Sequence, residues 1–120
     1  MRTVEEFTKI VKEENREYNE ELLNLSPARL ISRAWEIAKW QAIYDYIMER
    51  VIPYSEYGED VFEDFLTLEI GEPISTIYEG GPISTIYEYE LNYDEPMWTT
   101  WDGLDIVVRN MFAEIKNQNN

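Results

Sequence analysis

Apolar residues recur along the first 25 positions at three-, four- and seven-residue steps: Val4, Phe7, Val11, Tyr18, Leu22 and Leu25. That spacing places them on one face of an α-helix. Thr3 and Glu6 stand at capping-box spacing in front of it. Ser26-Pro27 reads as a stop and restart, with serine as N-cap and proline in the first turn. Leu30, Ala34, Ile37, Ala38, Gln41 and Met48 then continue a helical face, widened by Ile31, Trp35 and Ala42. This second helix is expected to reach about Arg50, ahead of Pro53. A link as short as Ser26 makes the pair an antiparallel hairpin.

Beyond Pro53 the pattern predicts a helix over Glu59 to Leu68, with Val61, Phe62, Phe65 and Leu66 inward. A last helix is expected over Asp102 to Lys116, carried by Trp101, Leu104, Val108, Met111 and Ile115, with residues 117–120 as a frayed tail. Between these two lies a tandem repeat. Gly71-Glu72-Pro73-Ile74-Ser75-Thr76-Ile77-Tyr78-Glu79 is followed at once by Gly80-Gly81-Pro82-Ile83-Ser84-Thr85-Ile86-Tyr87-Glu88. The copies differ only at Glu72 against Gly81. A unit this short and this exact points to a copying slip rather than a solenoid. The shared Pro-Ile-Ser-Thr-Ile-Tyr has strand propensity, yet its proline could also open a helix. The second copy is expected to hold the structural role, leading into a helix through Tyr93. The first is expected to form a loop or short hairpin. The fold class is therefore all-α: a bundle of four to five helices with an N-terminal hairpin and an irregular or short β segment at the repeat.

The 120 residues suit one domain. At 44% hydrophobic and 14% aromatic, they can build a packed core. No run of 18 apolar residues is present, and the start has no apolar leader, so a cytoplasmic protein without membrane contact is expected. Histidine and cysteine are absent. Their absence removes Ser/His and Cys/His nucleophiles, thiol redox chemistry and the usual zinc ligands, so a non-enzymatic protein without cofactor, metal or small-molecule substrate is expected.

Charge divides the chain sharply. The formal charge is −15, from 25 acids and 10 bases. Residues 51–108 hold 14 of the acids and no Lys or Arg, while the remainder sets 11 acids against all 10 bases. Residues 1–50 thus read as a near-neutral hairpin and 51–108 as an acidic block. Six of the nine tyrosines, Tyr54, Tyr57, Tyr78, Tyr87, Tyr89 and Tyr93, belong to that block. Direct binding of nucleic acid or an anionic membrane needs a basic face, which this balance denies.

Carboxylates remain as the only abundant chemical groups. Glu59/Glu63, Asp60/Asp64, Glu88/Glu90, Asp94/Glu95 and Asp102/Asp105 are spaced as candidate pairs. No EF-hand pattern fits, because Asp94 to Asp105 lacks alternating ligands and the terminal glutamate. Gly80-Gly81 is followed by proline rather than a phosphate-binding lysine. On a helix, Glu59–Glu63 and Asp60–Asp64 repel at i, i+4, each by roughly 0.2–0.5 kcal/mol with no nearby lysine in sequence. A solvated face is the plain explanation; repetition of that cost suggests a use for the negative field. Carboxylates one helical turn apart match the spacing of phosphates, and tyrosine adds flat amphipathic contact area. The candidate partner-binding residues are Glu59, Asp60, Glu63, Asp64, Tyr87, Glu88, Tyr89, Glu90, Tyr93, Asp94 and Glu95. Two or three of the block's tyrosines are expected in the core, with Tyr78 or Tyr87 capping it. The tryptophans are also expected there, apart from Trp98 as a loop anchor.

The order of features from about residue 13 resembles a small, functionally uncharacterised all-α domain family carried by mobile elements and phages of gut anaerobes. The resemblance lies in the acidic helix Glu14 to Leu25, the Leu25-Ser26-Pro27 turn and the segment Ile31 to Ile37. It continues through Pro82 to Tyr87 and the last helix Leu104 to Met111. It implies a mobile-element home and supplies no catalytic residues. With the acidic block, it leads to an expected inhibitor that mimics nucleic acid against a CRISPR effector or other basic defence nuclease, in the anti-CRISPR or anti-restriction manner. The alternative is an acidic adaptor or antitoxin-like partner that neutralises a basic protein of its own element.

Overall fold

The computed structural model describes residues 1–53, 60–79 and 99–118. These fold into six α-helices and one π-helical turn, with no strand among the described residues. The helices are α1 (Val4–Leu23), α2 (Pro27–Ser32), α3 (Ala34–Tyr46), α4 (Asp60–Thr67), α5 (Pro73–Glu79) and α6 (Trp101–Gln118). The π turn, Ile47–Val51, extends α3.

Local chemistry explains the early boundaries. The Thr3 hydroxyl accepts from the Glu6 N–H at 3.1 Å and opens α1. Ser26 accepts from the Arg29 N–H at 3.3 Å, with Pro27 beginning α2. Two expectations for the second helix need correction. It breaks at Arg33, where φ −103° and ψ 11° leave helical geometry, and its far end passes into the π turn, where the Ile52 N–H reaches Ile47 O at 3.0 Å. Its inward face also differs from the one expected. Trp40, Ile43, Tyr46, Ile47 and Val51 are buried, whereas Ile31, Ala34, Trp35, Ala38 and Gln41 are exposed. A segment apolar on all sides offers several stripes, and the break at Arg33 rotates the one before it away from the core.

The core gathers Phe7 and Val11 from α1, Ile43, Tyr46 and Ile47, Phe62 and Phe65 from α4, Ile74 and Ile77 from α5, and Leu104, Val108, Met111 and Phe112 from α6. Each such side chain contributes about 1.5–3 kcal/mol when fully buried. Phe65 sits at the centre, 5.2 Å from the Phe7 ring and edge-on to Phe112 at 4.7 Å. Tyr18 stacks on Trp40 at 3.9 Å and joins α1 to α3, while α5 packs against α1, α3 and α6.

The repeat reverses the expectation for its first copy. That copy is α5, a helix with Pro73, Ile74 and Ile77 buried, and neither loop nor hairpin. The second copy and its continuation through Tyr93 lie outside the described residues. Asn117 and Gln118 belong to α6 and not to a frayed tail. Of the tryptophans, Trp40 is buried, but Trp35 is 56% and Trp101 45% exposed, contrary to the expected core placement. Trp98 lies outside the described residues.

Phe65→Ala should cost about 3–5 kcal/mol, from lost transfer energy and the cavity left between the Phe7 and Phe112 rings. Trp35→Ala should cost less than about 1 kcal/mol. Urea unfolding midpoints of the two variants check this contrast.

Candidate partner-binding site

Of the eleven residues proposed for partner binding, Glu59, Tyr87, Glu88, Tyr89, Glu90, Tyr93, Asp94 and Glu95 lie outside the described residues. Asp60 opens α4. Glu63 stands exposed on its surface. Asp64 departs from expectation. It is only 18% exposed and accepts a salt bridge from Lys116 of α6 at 2.9 Å. The cation missing from its neighbourhood in sequence arrives through the fold, 52 residues later. Asp64 therefore ties α4 to α6.

Two more carboxylates of the acidic block are engaged in the same way. Glu69 pairs with the N-terminal ammonium at 3.3 Å. Asp105 accepts from the buried Tyr46 hydroxyl at 2.5 Å and from Arg50 at 3.4 Å. Burial, then the bond to Asp105, holds the Tyr46 hydroxyl well above its ordinary value of 10.0. By contrast Glu63, Glu72, Glu79 and Asp102 are exposed. Tyr78 packs beside Trp40, ring centres 6.5 Å apart, and carries the Lys39 ammonium 4.6 Å from its centroid. It thus packs, partly buried, against the core.

Glu14 holds a structural role that sequence reasoning missed. Its two carboxylate oxygens accept from the Ile74 N–H at 2.8 Å and the Ser75 N–H at 2.9 Å. They cap α5, a helix whose own N-cap position offers only Glu72. Beside it, Asn15 Oδ1 accepts from the Trp40 indole N–H at 3.0 Å. The signal was the gap in the stripe of α1: from Val11 to Tyr18 the inward positions are polar. Next to this junction opens a cleft of about 190 Å³, lined by Tyr18, Arg33, Glu36, Trp40, Ser75, Tyr78 and Glu79. Arg33 and Glu36 pair at 3.0 Å across its rim.

Comparison with protein-family profiles, with curated proteins and with solved structures gives no match.

Two outcomes test this region. Glu14→Ala should cost about 1–3 kcal/mol by orphaning two N–H groups, with Glu14→Gln intermediate and the exposed Glu17→Ala near neutral, read from urea midpoints. The second outcome concerns alkaline pH. The folded chain holds the Tyr46 proton more tightly than the unfolded chain does, so this contribution is complete below pH 10 and fades as pH rises further. The melting temperature should fall above pH 10, and less steeply in Tyr46→Phe.

Proposed function

We propose that the protein is a small acidic inhibitor that imitates nucleic acid to occupy the basic groove of a DNA- or RNA-binding defence enzyme. One observation carries the reading: the chain has fifteen negative charges without a counterpart, and no charged side chain is buried among the described residues. A surplus of that size attracts a cationic partner and speeds its encounter. With Asp64 engaged in the fold, Glu59, Asp60, Glu63, Glu88, Glu90, Asp94 and Glu95 remain as the acidic contact candidates. The resemblance to mobile-element domains makes a host nuclease the natural target. No described helix is long and apolar enough to cross a membrane.

A combined Glu63→Lys, Glu88→Lys, Glu90→Lys and Glu95→Lys variant should abolish target binding while circular dichroism stays unchanged. Retained inhibition by that variant would sink the mimic reading. A pull-down from host lysate at low and high salt, with DNA as competitor, should give a partner that both DNA and salt displace.

One observation favours the adaptor reading. Ile31 near the end of α2 and Trp35 at the start of α3, on either side of the break at Arg33, are 77% and 56% exposed. A partner docked on that apolar pair would survive high salt and be lost in Ile31→Asp.

A further inference from the structure

The seat that holds α5 reads features that the repeat contains twice. Its cap is Glu14 bonding backbone N–H groups, which any residue but proline supplies. Its apolar anchors are Ile74 at 0% and Ile77 at 2% exposure, three residues apart on one helical face. Tyr78 completes it against Trp40 and Lys39. The Thr76 hydroxyl donates to the Glu72 carbonyl at 2.7 Å, again a backbone acceptor. Pro82, Ile83, Ser84, Thr85, Ile86, Tyr87 and Glu88 repeat this set in order, and Gly81 supplies the carbonyl in place of Glu72.

We propose that the seat accepts either copy, so that the chain exchanges between two registers nine residues apart. The one differing position does not oppose the exchange. It is the N-cap position, where glycine is better suited than glutamate. The first register leaves five residues between α4 and the seated helix and the second leaves 14, a lengthening that closure entropy disfavours about five-fold. Exchange carries Tyr89, Glu90, Tyr93, Asp94 and Glu95 nine residues closer to the end of the seated helix. The two registers therefore present the acidic segment differently. The exchange does not depend on what that segment binds.

Three variants test this directly. Ile74→Asp places a charge in the seated face of the first copy, Ile83→Asp in the second, and the third variant carries both. Each single variant should melt cooperatively within about 5 °C of the parent, because the intact copy takes the seat, and the double should lose its cooperative transition. Ile74→Asp melting as poorly as the double would overturn the exchange, as would a double as stable as the parent. Deleting residues 71–79 leaves only the second copy, with the original link length. That chain should fold with the parent's helical content, and failure to fold would also overturn the proposal.

Discussion

A carboxylate on the first helix holds the start of a helix sixty residues away. Glu14 satisfies two N–H groups of α5 that the segment's own residues leave open. Seven residues are too few to persist as an isolated helix in water. The cap and the burial of Ile74 and Ile77 supply what local propensity lacks. Once seated, α5 gives α1, α3 and α6 a common neighbour. The order of causes thus runs from tertiary contact to secondary structure.

The acidic surplus is organised by the same fold. Asp64, Glu69 and Asp105 each meet a cation from outside the acidic block, at the α4–α6 contact, the N-terminus and the π turn. Such partly exposed pairs contribute little each, up to about 1 kcal/mol, but they set which carboxylates remain available. The surplus that is left has no counterpart anywhere in the chain, so it acts on the surroundings.

Much of the fold was legible in sequence because capping and stripes are local. Thr3 and Ser26 mark their helices, and Phe62, Phe65, Leu104, Val108 and Met111 face inward as their spacing demands. Three things were hidden. The face of the second predicted helix was ambiguous because Leu30, Ile31, Trp35, Ile37, Trp40 and Ile43 would surround its axis, and only the break at Arg33 decides between stripes. The helicity of the first copy was masked by β-favouring isoleucine, threonine and tyrosine, overridden by Pro73 and by the Glu14 cap, 60 residues before Ile74. Within the candidate site, Asp64 read as one of a repelling acidic pair because Lys116 becomes its neighbour only after folding. Eight of the eleven candidate residues lie outside the described residues, and the rest of that reading stands on composition.

A cap aimed at main-chain atoms also bears on how such a sequence changes over generations. Copying nine residues in tandem normally displaces everything downstream of a packed element. Here the holding group ignores side-chain identity at the two atoms it grips, so the insertion left the lock and merely duplicated the key. Selection then has one spare key to reshape, and the pair Glu72 and Gly81 is where the two copies already differ.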